Sequence, residues 1–260
     1  MEREDAVNQL RNLVSGEPDL NVGEDDDRIL LRYLAYTKFD VEKAFEKMKM
    51  IYKNKHTYSE WYATERTENQ DFVLSRHIHT MIEPRDSQGR RIYIVQLGNI
   101  VVSDHQAHEM SQVDDIWLEA VMDEPETQKN GIVFIVDMKG LSWKFMKYFT
   151  PTNVKIGSMK AETIPLHSIQ FHVINTGMLL NGMVSLVFPL LSTATKESIF
   201  FHKSSLESLH KHINPESLPK EYGGTLPPLD YDKNIDIFLK KNNTRLLELL
   251  KYGYSTAAAK

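Results

Sequence analysis

Residues 178–191 form the least polar stretch of the chain, with only Asn181 and Ser185 carrying polar side chains. A helix over this run would have no polar face to turn toward water. A membrane-spanning helix needs about 20 consecutive apolar residues, so the run is too short to cross a bilayer. It must therefore be covered by protein, by a bound lipid, or transiently by a membrane surface.

The composition of the 260-residue chain limits the classes of function. A net charge of −5 argues against a nucleic-acid binder, because such proteins usually carry a strong excess of basic residues. The absence of cysteine excludes disulfides and thiol catalysis. Residues 1–5 carry no apolar stretch of the signal-peptide type, so we expect a cytoplasmic protein.

The first part of the chain has the periodicity of helices. A first helix is predicted over residues 5–14, where apolar residues recur every three to four positions. A second follows the acidic run 24–27, whose carboxylates complement the helix dipole, and Asp40 is predicted to cap a third. We expect residues 1–75 to form an N-terminal helical unit.

Beyond residue 76, predicted strands alternate with predicted helices. The strands cover 77–82, 91–97, 132–138, 168–174 and 198–202, and the helices cover 113–129 and 143–162. This alternation predicts an α/β fold over residues 76–228, with a β-sheet flanked by helices. Residues 229–260 are expected to form a C-terminal helical tail, of which 257–260 are left out of the fold prediction.

Five segments carry short motifs in a fixed order. They are Arg28–Leu34 with Lys38–Ala44, Asp86 with Gly89–Tyr93, Asn130–Gly131 with Ile135 and Asp137, His172–Asn175, and Leu218–Pro219 with Glu221–Gly224. Each motif is weak alone, but in this order and at these spacings they resemble the CRAL-TRIO lipid-binding family over about residues 25–228. Within that family, the chain looks most similar to the tocopherol transfer and retinaldehyde-binding proteins.

The resemblance implies a mixed sheet enclosing a hydrophobic cavity, which a mobile gate helix at about residues 175–198 closes. It implies a monomeric, non-enzymatic protein that holds one small hydrophobic lipid of the tocopherol, retinoid, carotenoid or other isoprenoid class. This lipid would be transferred between membranes through transient peripheral contact, without any cofactor or metal. Two other functions stay open, a lipid-gated adaptor or sensor and a phospholipid or phosphoinositide exchange protein.

The residues that contact the lipid follow from the resemblance and from strand parity, since alternate side chains share one face. The expected ligand-binding set is Leu118, Met122, Ile132, Phe134, Val136, Phe149, Leu166, Phe171, Val173, Met183, Leu186, Val187 and Leu191. The opposite face of the gate is expected to touch the membrane through Met178, Leu179, Val184, Phe188 and Leu190. The alternative is that all of these are ordinary core residues.

Two departures from the family pattern concern the gate. Gly177 stands where family members usually carry proline, and glycine leaves this hinge freer. The positions at which the tocopherol-transfer branch binds phosphoinositide headgroups carry no fixed positive charge here; they are His167, Ile169, Phe188, Ala194 and Ser198. Each basic residue contributes about 1 kcal/mol at an anionic surface, so only weak phosphoinositide binding is expected, through the nearby Lys196, Lys203 and Lys211.

The polar residues give little support to catalysis or to metal binding. The pairs His77 with His79 and His105 with His108 have no further ligand at a suitable spacing. Asp137 ends a central strand and is the best candidate for an enzyme acting on a lipid, but ordering of the following loop is the favoured interpretation. The hydroxyl groups that the polar end of a lipid could use belong to Ser142, Ser158, Thr163 and Ser185.

Overall fold

The N-terminal part of the chain is helical. The computed structural model describes residues 3–23, 26–177 and 179–255. The first elements are α1 (Arg3–Ser15), β1 (Leu20–Asn21), α2 (Asp27–Tyr36), α3 (Val41–Thr57) and α4 (Glu68–Ser75). Asp40 caps α3 by accepting a hydrogen bond from the Lys43 amide at 3.1 Å, as its position before the apolar pattern predicted. The apolar faces of α1, α2 and α3 pack on one another around Leu10, Leu30 and Met48.

Five strands form the central sheet. They are β2 (His79–Ile82), β3 (Arg91–Gln96), β4 (Ile132–Asp137), β5 (Ile169–Ile174) and β6 (Ile199–Lys203), and they lie side by side in this order. The hairpin of β2 and β3 is antiparallel, whereas β3, β4, β5 and β6 run parallel to one another. This mixed sheet, with helices on its faces, confirms the predicted fold class.

Helices connect the parallel strands. Between β3 and β4 lie α5 (Ala107–Glu119) and α6 (Pro125–Asn130), between β4 and β5 lies α7 (Pro151–Thr163), between β5 and β6 lie α8 (Leu179–Val187) and α9 (Thr193–Glu197), and α10 (Leu206–His210) follows β6. The helices predicted over 113–129 and 143–162 are each divided at a proline. Pro125 and Pro151 lack the amide hydrogen of an interior helical residue, so each begins a new helix.

The C-terminal tail packs back on the rest of the chain. It contains α11 (Tyr231–Ile235), α12 (Asn243–Lys251) and β7 (Gly253–Tyr254), which pairs antiparallel with β1. Leu246 and Leu250 are buried in the main core beside the sheet, whereas Leu249 is buried with the N-terminal helices. Short 3₁₀ turns cover Ser59–Trp61, Leu97–Asn99, Trp143–Tyr148, Phe188–Leu190, Pro215–Ser217 and Lys220–Tyr222, and a π turn covers Asp236–Lys240.

The two faces of the sheet bury different side chains. Alternate residues of a strand point to opposite faces, so Phe134 lies in the core that includes α5 and the turn before α7, while Val133 and Ile135 lie on the second face. Leu209 and Leu218, from the segment after β6, fill the second face. The first face, toward α5 and α7, is the one that borders the cavity described below.

Candidate functional site

A cavity of about 520 Å³ lies between the first face of the sheet and helices α5 and α7. The end of the gate segment contributes Val187 and Leu191 to its wall. The volume falls within the range of about 300–1,000 Å³ that is usual for small-molecule pockets. Most of the wall is apolar, and its polar side chains come mainly from α2, α3, α5 and α7.

Aromatic rings form the sheet side of this cavity. Phe134 and Phe171 are partners in the parallel register of β4 and β5, and their ring centroids lie 4.7 Å apart. Tyr93 supports Phe134 from β3 in an edge-on contact at 5.1 Å. Phe145 and Phe149, which lie just before α7, pack edge to face at 5.4 Å. These rings present a broad apolar surface against which a ring or a polyene can lie flat.

Seven residues of the expected ligand-binding set line the cavity: Leu118, Met122, Phe134, Phe149, Phe171, Val187 and Leu191. They come from α5, the turn after it, two strands, the segment before α7 and the gate. The fold therefore brings together side chains that are far apart in the sequence. Their contact with a lipid stays a prediction.

Other members of the expected set lie outside the cavity wall. Ile132 and Leu166 are buried within the hydrophobic core, where they fill space instead of bordering it. Val136 is half-buried against that core, and Val173 is half-buried beside it in β5. Leu186 is 51% exposed, because successive residues of a helix are rotated by about 100° and Val187 is the one that faces inward.

The gate segment connects β5 to β6 through α8, the 3₁₀ turn Phe188–Leu190 and α9. Pro189 lies in the first turn after α8 and cannot continue its hydrogen-bond pattern, so α8 ends at Val187. The end of this short helix brings Val187 to the cavity wall, and the 3₁₀ turn after it brings Leu191 there.

The outer surface of α8 and the turn after it combines apolar side chains with the exposed polar residues Asn181 and Ser185. Leu190 is 46% exposed, Val184 is half-buried, and the Phe188 ring lies 5.7 Å from the ring of Phe201. Met178 lies outside the described residues, and only the backbone of Leu179 and Met183 is described. The expected membrane-facing set is thus partly exposed where its side chains are described.

Trp143 adds an exposed aromatic residue that the sequence analysis did not single out. Its side chain is 71% exposed. Trp143 belongs to the same 3₁₀ turn as Met146, whose methyl group lies within van der Waals reach of the Gly182 position on α8. Nothing in the local sequence separates Trp143 from a buried tryptophan, so only the structure reveals its exposure.

Asn175 orders the hinge between β5 and the gate. Its backbone has a φ of 53°, in the left-handed region that asparagine tolerates better than most residues. Its Nδ2 donates to Asp137 Oδ1 at 2.7 Å, and the same oxygen accepts from the Lys139 amide at 2.9 Å. Asp137 therefore joins the loop after β4 to the beginning of the gate, which agrees with the structural interpretation of this carboxylate.

The N-terminal helical unit supplies cavity residues that the sequence analysis missed, namely Tyr33, Ile51, Tyr52, Lys55, Trp61, Tyr62 and Ala63. Facing them, Lys160 of α7 forms an ion pair with Asp115 of α5 at 2.9 Å. Burial raises the pKa of Asp115, although Lys160 opposes this shift. Ser158 and Thr163 also line the cavity, whereas Ser142 and Ser185 do not. No local pattern marks the N-terminal residues, because only tertiary packing brings them to the cavity.

The remaining polar candidates have other surroundings. Within residues 3–23, 26–177 and 179–255, no group of three or more histidine, aspartate or glutamate side chains could hold a metal ion. His172 and His202 share a hydrogen bond of 2.8 Å on the second face of the sheet. Lys203 and Lys211 are exposed, and Lys196 is half-buried. None of the described helices is long and apolar enough to cross a membrane.

Comparison with known proteins places this architecture in a family. The model of the CRAL/TRIO domain matches residues 75–224. Clavesin-1 of Rattus norvegicus is 28% identical over 227 residues, covering 86% of this chain and 64% of the relative, and clavesin-2 of Homo sapiens is 28% identical over 229 residues, covering 86% and 69%. The chain thus spans less than two thirds of the length of clavesin-1.

A solved structure shares the same fold. The crystal structure of Sfh5 superposes with a TM-score of 0.55 at 12% sequence identity, covering 90% of this chain and 92% of that one. At this identity the likeness concerns the fold alone. The family match covers more than half of the chain and includes every strand of the central sheet. The chain therefore belongs to the CRAL/TRIO domain family, whose members bind and transfer lipids.

Proposed function

We propose that this protein holds one hydrophobic lipid in its cavity and transfers it between membranes when the gate segment moves away. The observation that carries this proposal is the largely apolar cavity of about 520 Å³, whose wall includes Val187 and Leu191 of the gate. A displacement of α8 and the turn after it would open the cavity without disturbing the hydrogen bonds of the sheet. No catalytic group is needed for this activity.

The energetics of apolar burial are sufficient for such a carrier. A lipid that hides about 400 Å² of apolar surface gains on the order of 10 kcal/mol at about 25 cal/mol per Å². Lost translational freedom and ordering of the gate remove several kcal/mol of that gain. The lipid is therefore held tightly in water, yet it can be exchanged at a membrane, where its apolar surface is covered in either location.

We propose an isoprenoid of the tocopherol, retinoid or carotenoid class as the lipid. The stacked pair Phe134 and Phe171 and the edge-on pair Phe145 and Phe149 favour a molecule that contains a ring or a polyene. The resemblance to the tocopherol-transfer branch points to the same class. We further propose that the protein acts as a monomer in the cytoplasm.

The outer surface of the gate is proposed to touch the membrane. Leu186 and Leu190 expose apolar side chains there, and the exposed Trp143 lies on the turn that packs near Gly182 of α8. Tryptophan is favoured at the boundary between lipid and water, because its ring is apolar and its N–H is polar. Lysine contacts through Lys196, Lys203 and Lys211 are proposed to be weak, so phosphoinositide should accelerate transfer little.

The first test is mass spectrometry of an organic-solvent extract of the purified protein, scaled to the protein concentration. One dominant apolar compound near one molecule per protein supports the carrier, whereas a folded protein that binds no tocopherol, retinoid, carotenoid or sterol when these are supplied contradicts it. Transfer between liposomes tests the membrane contact. Trp143→Ala should slow transfer, while Met50→Ala, an exposed apolar residue of α3, should not.

A further inference from the structure

One part of the cavity wall is polar and is built largely by the N-terminal helical unit. Tyr33, Tyr52, Lys55 and Tyr62 reach the cavity from this unit, which precedes the segment that matches the family model. They face polar residues of α5 and α7, which are Asp115, Glu119 and Lys160. An entirely apolar ligand could not pair with any polar group of this wall that lacks a partner within the protein, so the chemistry of the wall limits what the cavity can hold.

The charges along the wall compensate one another. Three cations, Arg32, Lys55 and Lys160, and three carboxylates, Asp114, Asp115 and Glu119, line the cavity. Arg32 donates to Glu119 at 2.7 Å. An ionised head group of either sign would meet like charges as well as opposite ones. The wall therefore favours a head group without charge.

Most donors of the two lysines are also engaged. Lys160 Nζ donates to Asp115 at 2.9 Å, to the Ser111 hydroxyl at 2.7 Å and to the Trp61 carbonyl. These three acceptors occupy the three N–H groups of the Lys160 ammonium. Lys55 Nζ donates to the carbonyls of Leu250 at 2.7 Å and Tyr252 at 2.8 Å. These carbonyls lie at the carboxyl end of α12, where the helix dipole favours a cation.

The Tyr62 hydroxyl is one polar group on the N-terminal side of the cavity that lacks a hydrogen-bond partner among the described residues, as does Nδ1 of the cavity-lining His79 on β2. The Tyr62 hydroxyl is buried, it belongs to a residue that lines the cavity, and it makes no hydrogen bond of normal geometry within the described chain, although the Thr163 hydroxyl is close enough to affect its pKa. Its ring packs under Lys160 Nζ, which is 4.2 Å from the ring centroid, so the side chain is held in place. Burial raises the pKa of Tyr62, although the nearby Thr163 hydroxyl opposes this shift, so the phenol keeps its proton and can donate it. A buried hydroxyl without a partner costs about 1–3 kcal/mol, which a ligand group could recover.

We propose that this polar wall binds the hydroxyl group of an otherwise apolar alcohol, with Tyr62 donating a hydrogen bond to the alcohol oxygen. An alcohol both accepts and donates, and the carboxylates of Asp115 and Glu119 on the same wall are acceptors for its own proton. A hydrocarbon could neither accept from the Tyr62 hydroxyl nor donate to a carboxylate. A ligand carboxylate would be repelled by the carboxylates of Asp115 and Glu119 on the same wall. This inference rests on the proposed function, because it requires a lipid in the cavity, and it narrows the lipid to an alcohol.

A competition among three molecules with one carbon skeleton tests the head group directly. Dihydrophytol, phytane and phytanic acid, at equal concentrations in cyclodextrin, are incubated with the full-length protein, and the bound molecules are extracted and counted. The alcohol is expected to exceed both of the others. Tyr62→Phe, which removes only the hydroxyl, should lower the ratio of alcohol to hydrocarbon about five- to tenfold.

Tyr148→Phe is the matched control. It removes another hydroxyl from the cavity wall, but one that already donates to the carbonyls of His105 and Val102, so the alcohol ratio should not change. Because the Tyr62 hydroxyl has no partner, Tyr62→Phe without lipid should melt at or above the temperature of the unchanged protein.

Three results would overturn the proposal: an excess of bound acid, an alcohol ratio that Tyr62→Phe leaves unchanged, or a loss of stability in that variant without lipid. A folded protein that binds none of the three molecules, and no tocopherol, retinoid, carotenoid or sterol either, would instead contradict the proposed function itself, and the inference would fall with it. The two failures are therefore distinguishable.

Discussion

The Nδ2 atom of Asn175 donates a hydrogen bond to Oδ1 of Asp137 at 2.7 Å, which connects the start of the gate to the end of the central strand. The hinge would otherwise depend on Thr176 and Gly177, and a side chain at Gly177 would meet no neighbouring atom within 4 Å. This hydrogen bond is therefore the clearest side-chain restraint on the position of the hinge between β5 and the gate.

Asn175→Gly should loosen the gate without introducing backbone strain, since glycine adopts the φ of 53° freely. A hydrogen bond to a charged group contributes about 1.5–3 kcal/mol, so urea unfolding should report a loss of that order. Release of bound lipid to liposomes should also become faster. Unchanged release together with unchanged stability would show that the bond does not restrain the gate.

Substitutions of two neighbouring residues can test which face of α8 points into the cavity. Val187 lines the cavity, so Val187→Ser should lower lipid occupancy about fivefold or more, because a hydroxyl replaces apolar surface. Leu186 is exposed, so Leu186→Ser should leave occupancy within about twofold and should slow transfer from liposomes. The opposite pattern would mean that Leu186 faces the lipid, as the sequence analysis expected.

Arg32 joins the N-terminal unit to α5 through buried ion pairs. It contacts Glu119 at 2.7 Å and Asp123 at 2.6 Å, and its own side chain is almost fully buried. Arg32→Leu leaves Glu119 without this partner, whereas Asp123 keeps its ion pair with Arg245 at 2.7 Å, so the free energy of unfolding should fall by about 3 kcal/mol, the lower end for a broken buried pair. Lys43→Ala removes an exposed ion pair with Asp40 and should leave the free energy of unfolding nearly unchanged. A similar effect of both variants would contradict the structure.

His172 should make the protein sensitive to acid. Burial lowers its pKa to about 3, with His202, His212 and Arg90 adding to the shift, against 6.5 for an exposed histidine. Its contribution to stability is fully present above pH 6.5. As the pH falls from 6.5 toward 3, the unfolded chain takes up a proton that the folded protein excludes, so stability declines. The decline from this group is at most about 1.4 kcal/mol per pH unit.

Urea unfolding at pH 7.5 and at pH 5.5 measures this effect. His172→Gln keeps a hydrogen-bonding side chain but cannot titrate, so its stability should fall less between the two values than that of the unchanged protein. His202 is also buried with a lowered pKa, so the stability of His172→Gln should still fall with pH, but less steeply. Equal slopes for the two proteins would exclude His172 as the source.

Several features of the fold were predictable from local patterns. The alternation in β4 places Phe134 and Val133 on opposite faces, because successive side chains of a strand always diverge. Asp40 marks the start of α3, because its carboxylate satisfies a free amide of the first turn. The family motifs in their order were enough to predict the mixed sheet and a helical segment between β5 and β6, whereas the role of that segment as a gate stays a prediction.

Other features depended on contacts between distant parts of the chain. The parallel register of β4 and β5 pairs Phe134 with Phe171. The alternation of side chains within each strand does not predict this register. Tyr62 reaches the cavity because the N-terminal helices pack against α5 and α7, and nothing beside it in the sequence indicates this. Likewise, Ile132 and Leu166 are as apolar as the cavity residues, yet they fill the core.

The sequence by itself determined most of the helices and strands and the strongly apolar character of the segment between β5 and β6, because periodicity and capping act between residues a few positions apart. The tertiary structure alone decided how the gate is rotated. A helix with apolar residues on all sides has no preferred inward face of its own. Packing against the sheet and Met146 therefore selected Val187 for the cavity and left Leu186 exposed.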